Sequence, residues 1–179
     1  MGKVVIDMSM SLDGFIAGPS DDVERLHHWV FGGKTNREAN ILDDMVETTG
    51  AVVMGRRTFD LHPSGPYGLP AFILTHNPQD PEGTGTGRAG VIFVTDGIES
   101  ALKQAKVVAG DKNIGLMGAN IQQQCLSAGL VDEIHIHLIP VLLGDGTSLF
   151  GKLSEIIELE KISIQDEPGA THLTYKVKK

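Results

Sequence analysis

Short apolar runs, each closed by a turn signal, alternate along this chain with stretches in which apolar residues return every three or four positions. Val4 to Met10 is one such run and ends in Ser11-Leu12-Asp13-Gly14. Ala51 to Met54, Ala71 to Leu74, Val91 to Val94 and Asn113 to Met117 follow. Runs this short and this apolar read as strands covered on both faces, the pattern of a parallel sheet between layers of helix. The helical stretches lie between them. Asp21 or Asp22 caps a short one running to Trp29 or Val30, and Gly32-Gly33 stops it. Thr35-Asn36-Arg37-Glu38 is a capping box, with Ala39, Leu42, Met45 and Val46 at helical spacing behind it and Gly50 as the stop. Further helices are expected from Asp96-Gly97-Ile98-Glu99 to about Val108, and from Asn120 to Ala128 with Gly129 just past the end.

The last third of the chain departs from this alternation. Ile134 to Ile139 reads Ile-His-Ile-His-Leu-Ile, and a long loop, Leu143 to Phe150, follows it. Leu159 to Gln165 and His172 to Val177 flank Pro168-Gly169, the signature of a hairpin. The expected fold is therefore a single α/β domain over residues 1–179, with a mostly parallel central sheet and antiparallel strands at its C-terminal edge. Residues 60–70 and 78–90 are rich in Pro and Gly and read as loops.

The net charge of −8 argues against a nucleic-acid partner, which would favour a basic face. The single cysteine, Cys125, excludes a disulfide framework and a cysteine-built zinc site, and fits a reducing cytoplasm. No apolar run approaches the roughly 18 residues that span a bilayer, and no signal peptide is evident, so no membrane partner is expected.

Candidate chemistry concentrates at two strand-to-helix junctions. Ala51-Val52-Val53-Met54 runs into Gly55-Arg56-Arg57-Thr58-Phe59, and Asn113-Ile114-Gly115-Leu116-Met117 runs into Gly118-Ala119-Asn120-Ile121. A helix N-terminus carries unpaired N–H groups and partial positive charge and so attracts anions. Glycine lets the backbone approach a phosphate, and arginine offers a planar fork to it. Two such junctions in one small domain point to a nucleotide with several phosphates.

These pieces also carry a family resemblance. Met10-Ser11-Leu12-Asp13-Gly14-Phe15-Ile16-Ala17, Val53 to Phe59, Ile73-Leu74-Thr75-His76-Asn77-Pro78, Leu116 to Ile121, and Gly129 to Ile134 with Pro140 to Phe150 stand in register over nearly the whole chain. In that order they resemble the dihydrofolate reductase-like superfamily. Within it they are most similar to the reductase domain of the bifunctional riboflavin-biosynthesis protein and its stand-alone relatives. The resemblance implies a three-layer α/β/α fold and an NADPH-dependent oxidoreductase acting on a small heterocyclic C=N or C=O substrate. It implies that Gly55, Arg56, Arg57 and Thr58 hold the pyrophosphate and 2′-phosphate, and that Thr75 and His76 contact the adenosine ribose and its 2′-phosphate. Gly118, Ala119, Asn120 and Ile121 form the second phosphate turn, and Ile16 and Ala17 line the nicotinamide. Relatives dimerise through edge strands, so a homodimer is expected. Two positions depart from the family pattern: Met117 stands where a glycine is common, and Phe15 where the riboflavin-pathway enzymes carry a lysine.

Asp13 is the candidate catalytic or substrate-side acid, or else an Asp-Gly turn residue chosen for backbone geometry. Phe15 and Trp29 are candidate substrate walls, or ordinary core. His135 and His137 share a strand face without a third ligand at recognisable spacing, so a polar face or interface is expected rather than a metal site. Cys125 is expected to face inward, without a nucleophilic role. The rival function is a catalytically silent nucleotide-binding module of the same fold. A Rossmann domain is disfavoured, since no Gly-x-Gly-x-x-Gly is present.

Overall fold

The computed structural model describes residues 2–31, 36–61, 67–77, 90–151 and 153–179, without the side chains of residues 30–40. The Gly32-Gly33 stop, the Thr35 cap of the capping box and most of the two Pro/Gly-rich loops lie outside the described residues. In chain order the strands are β1 (Val4–Ser11), β2 (Phe15–Ala17), β3 (Thr49–Gly55), β4 (Ala71–Leu74), β5 (Val91–Val94), β6 (Asn113–Met117), β7 (Glu133–Ile139), β8 (Thr147–Ser148), β9 (Leu159–Glu167) and β10 (Ala170–Val177). The helices are α1 (Glu24–Phe31), α2 (Asn36–Thr48), α3 (Arg56–Leu61), α4 (Ile98–Ala109) and α5 (Ala119–Ser127), and a single 3-10 turn covers Pro19–Asp21.

Eight strands form one sheet in the order β5-β4-β3-β6-β1-β7-β10-β9, and β2 pairs with β8 in a small second sheet. The pairings from β5 to β7 are parallel, whereas β10 runs antiparallel to both β7 and β9. The mostly parallel sheet with an antiparallel C-terminal edge is the architecture that the apolar runs and the Pro168-Gly169 hairpin announce.

Alternation along the central strands sorts their side chains onto two buried faces. Val4, Ile6, Val53, Ile114, Leu116 and Ile134 turn to one face and pack under Ala101, Leu102 and Ala105 of α4 and Ile121 and Cys125 of α5. Val52, Met54, Ala71 and Ile73 turn to the other, where Phe59 of α3 covers them. Further along that second face, Leu26 and Trp29 of α1 pack on Ile139 and Ala170. The result is three layers, α/β/α. A helix as short as α3 is marginal alone, and burying Phe59 is worth about 2 kcal/mol toward holding it.

Gly50 corrects one expectation. It does not stop a helix: α2 ends at Thr48, and Gly50 lies inside β3. A Cβ there would stand 2.8 Å from the Ala109 Cα and 2.9 Å from its carbonyl oxygen. The glycine is required because the end of α4 crosses β3 at backbone contact.

Candidate functional site

The parallel register aligns three strand ends. Met54 sits opposite both Ile73 and Met117, and Gly55 opposite Leu74. The residues that follow therefore emerge at one level: Arg56 to Thr58 from β3, Thr75 and His76 from β4, and Gly118 to Ile121 from β6. Chain direction diverges here, since β3 leads to β4 on one side and β6 leads to β7 beyond β1 on the other. Crevices at the carboxyl ends of strands, where the winding reverses, are where open α/β sheets take their ligands.

A cleft of about 1430 Å³ opens at that position. It exceeds the roughly 300–1,000 Å³ typical of small-ligand pockets. Gly55, Arg56, Arg57, Thr58, Thr75, His76, Gly118, Ala119, Asn120, Ile121, Ile16 and Ala17 all line it. The two turns touch each other. Gly118 has φ +89°, and a Cβ on it would lie 2.5 Å from the Thr58 Oγ1. Only glycine lets the second turn approach the first so closely while its backbone takes this left-handed course. Gln122 secures α5 from below by donating from Nε2 to the Leu116 carbonyl at 3.0 Å.

The cations are held in place by neighbours. Arg56 donates from Nε to Asp60 at 2.7 Å, and its guanidinium lies 5.6 Å from the centre of the Phe93 ring. Arg57 reaches Asp21. The Thr75 hydroxyl closes a local turn, accepting from the Asn77 N–H and lying 3.1 Å from the Asn77 carbonyl oxygen. On the β2 side, Gln123 Nε2 donates to the Ser148 and Leu149 carbonyls at 3.2 and 3.1 Å, tying α5 to β8 and so to the strand that bears Ile16 and Ala17.

Asp13, Phe15 and Trp29 stand apart from this lining. The Asp13 carboxylate accepts from the Ser11 hydroxyl at 2.6 Å and from the Leu143 and Gly144 N–H groups, the latter at 2.7 Å. The Ser11 hydrogen bond, helped by those backbone donors, holds its carboxyl below the ordinary value. It staples two loops as an ionised carboxylate. Phe15 is half-buried in β2, opposite Ser148. Trp29 is core: its indole N–H donates to the Ser9 hydroxyl at 2.9 Å, and its ring lies 4.5 Å from His137 and 4.9 Å from His172.

Beneath Trp29 lies a polar layer that the Ile/His alternation only hinted at. His137 Nε2 is 3.0 Å and His135 Nδ1 is 3.3 Å from the Asp7 carboxylate, and the Nδ1 atoms of His137 and His172 are 2.7 Å apart. Between the two Nδ1 atoms one ring donates and the other accepts. Burial pushes the Asp7 carboxyl up, but the two histidine hydrogen bonds and charges outweigh it and hold it well below the usual carboxylate range. Burial lowers His135, but Asp7 and Glu133 outweigh that and raise it. Among the described residues no group of three or more His, Cys, Asp or Glu side chains is arranged to hold a metal ion. Cys125 is buried with its thiol pushed up to about 12, hence unreactive. Among the described residues no helix is long and apolar enough to cross a membrane.

The cleft also holds residues that the motifs did not name. Glu24, His27 and His28 from α1 line it, as do Val23 just before that helix, Tyr67 and Gln123. The signal for the first group is the buried pair Leu26 and Trp29, three apart on α1. Glu24, His27 and His28 then fall together on the flank turned toward the strand ends.

This geometry has known counterparts. A riboflavin biosynthesis protein from Shewanella sp. PV-4, so described, superposes with a TM-score of 0.84 at 27% identity, covering 99% of each chain. Dihydrofolate reductase from Enterococcus faecalis, solved with NADP(H) and RAB-propyl, shares the fold with a TM-score of 0.65 at 17% identity, over 99% of this chain and 98% of that one. The uncharacterized protein YwjB of Bacillus subtilis (strain 168) is 26% identical over 178 residues, 97% of each chain. Residues 2–172 match the family model of the RibD C-terminal domain, and the chain belongs to that family.

Proposed function

We propose that the cleft holds NADPH and that the protein delivers its hydride to a small heterocyclic C=N or C=O group. The observation that carries this reading is the convergence of both glycine turns, Arg56, Arg57, Thr75 and His76 on one cleft at the carboxyl ends of β3, β4 and β6. The donor set fits the cofactor: backbone N–H groups at Gly118 and Ala119, a glycine turn set close against Thr58, and arginines for doubly charged phosphates. Gly55 to Thr58 and Gly118 to Ile121 would hold the pyrophosphate. Arg56, Thr75 and His76 would read the 2′-phosphate and ribose, and Ile16 and Ala17 would orient the nicotinamide and exclude water. Bound NADPH supplies the hydride. With Asp13 held ionised away from the cleft, water supplies the substrate proton.

The substrate end is set by α1. Glu24, His27 and His28 stand on that wall beside Asp21, and Phe15 replaces the lysine common in the riboflavin-pathway enzymes. Such a wall suits an uncharged substrate better than a phosphorylated one. The withdrawal of Asp13 favours, as the second reading, a module that binds the nucleotide without turning it over.

Thermal unfolding separates these. At NADPH about 100-fold above its dissociation constant the protein gains about 2.7 kcal/mol, or about 5–10 °C. NADH at the same concentration gives a much smaller shift. Absence of a shift with either nucleotide would sink the cofactor assignment. A shift without NADPH consumption across a panel of heterocyclic imines and carbonyls favours the silent module.

A homodimer is part of the same proposal. Among the described residues β9 is an edge strand, with Ile162 and Ile164 52% and 53% exposed, and such a strand invites a second copy. Sedimentation should give a dimer for the native chain and a monomer for Ile164→Lys. A native chain that sediments as a monomer removes this part of the proposal.

A further inference from the structure

Arg57 meets an anion before any ligand arrives. One of its terminal nitrogens donates to both carboxylate oxygens of Asp21, at 2.8 and 2.7 Å. Arg57 stands at the rim of the cleft with its side chain 76% exposed, and Asp21 is 28% exposed. Both line the cleft, one from the first turn of α3 and the other from the turn between β2 and α1, so the pair straps two walls together. The carboxylate takes the donors of one guanidinium nitrogen, which a phosphate oxygen would otherwise accept from.

The backbone around Asp21 is held, not relaxed. Ser20 and Asp21 have φ +61° and +62°, the left-handed region, though neither is glycine. Such conformations persist where surrounding contacts impose them. Here the Gly18 N–H donates to the Asp22 carbonyl at 2.7 Å and closes the turn around them. The Asp22 carboxylate accepts from the Glu24 N–H at 3.0 Å and starts α1. A change at Arg57 is thereby connected to the α1 wall of the cleft.

We propose that Asp21 is an internal competitor for Arg57: a specificity-determining residue that occupies the arginine in the empty cleft and yields it only to a ligand phosphate. This rests on the cofactor reading above. A ligand with one weak negative charge trades one anion for another at Arg57 and gains little. A pyrophosphate or a 2′-phosphate wins by charge, and its arrival frees the 18–22 turn. Asp21 thus sets a threshold of anionic charge for entry.

The test titrates the full chain with NADPH and, separately, with inorganic pyrophosphate, at two ionic strengths. The variants are Asp21→Asn, Arg57→Gln and the double substitution. Asparagine tolerates the left-handed region better than most residues, so the turn keeps its course in Asp21→Asn. Asp21→Asn is expected to bind NADPH about fivefold more tightly, the scale of a lost exposed ion pair. Its affinity should also fall more steeply with salt. The native protein exchanges one ion pair for another on binding, whereas the variant gains one outright. In the Arg57→Gln background the Asp21 substitution should change nothing. Equal or weaker binding by Asp21→Asn, an unchanged salt dependence, or an Asp21 effect that survives loss of Arg57 overturns the proposal. If the native chain binds no NADPH but Asp21→Asn binds pyrophosphate more tightly than the native chain does, the competitor stands and the cofactor reading falls. If pyrophosphate shows no dependence on Asp21 either, both fall.

Discussion

Asp7→Asn is expected to cost about 3 kcal/mol of folding stability at mildly acidic pH, the scale for removing one partner from a buried ionic cluster. The Asp7 side chain is only 17% exposed and that of His137 only 9%. Two imidazoles converge on the Asp7 carboxylate, and an asparagine there can accept from one of them only by turning its amide N–H toward the other. The loss should also reshape the pH dependence. Asp7 has a depressed folded value, so its contribution is present above the unfolded value near 3.8 and fades as pH falls through the folded one. His135 has a raised folded value, so its contribution is full below 6.5 and fades as pH rises through the folded one. The cluster therefore supports the fold best between those values and less on either side. Urea unfolding at about pH 5.5 and about pH 8 reads both effects. The native chain should lose stability between the two, while Asp7→Asn starts lower and loses less, Glu133 still facing His135 at 3.3 Å. A variant within about 0.5 kcal/mol of native, or one with the same pH slope, removes the cluster from the stability account.

That cluster marks where the sequence stops being legible. Short apolar runs between turn signals gave β4, β5 and β6 to the residue, because each strand is bounded by residues that cannot continue it. The two glycine turns were legible for the same local reason, and parallel register then sets them side by side. Contacts far apart in the chain were not legible. The partners of Asp13 at Leu143 and Gly144 are about 130 residues away, so nothing local to the Asp-Gly pair announces that it staples two loops. Trp29 reads as a pocket wall or as core until β7 and β10 bring His137 and His172 beneath it. Gly50 resembles a helix stop because the helix does end nearby, yet what demands a glycine there is Ala109, on another element. Arg57 reads as a phosphate ligand, and nothing local to it announces that Asp21 holds it already.

Gly118→Ala is expected to weaken NADPH binding about hundredfold. On the cofactor reading, the N–H groups that open α5 donate to a phosphate only while the residue before them keeps its left-handed course. Alanine at φ +89° is strained, and its Cβ would press on the Thr58 hydroxyl at 2.5 Å. Relief of both requires the turn to rotate. Losing two hydrogen bonds to a charged acceptor, about 1.5 kcal/mol each, gives the hundredfold figure. Folding stability should fall as well, by about 2 kcal/mol. The two costs have different origins and can be separated. Adding Thr58→Ala removes the oxygen that the new methyl group meets, but it leaves the backbone strain. The double variant should therefore regain part of the stability and none of the affinity, with isothermal titration and urea unfolding as the two readouts. If the double variant recovers NADPH binding, the glycine is there for packing between the two turns, and the phosphate contact lies elsewhere in the cleft. If Gly118→Ala is destabilised yet binds NADPH as the native chain does, the second turn is structural and the cofactor phosphates rest on the Gly55 turn alone.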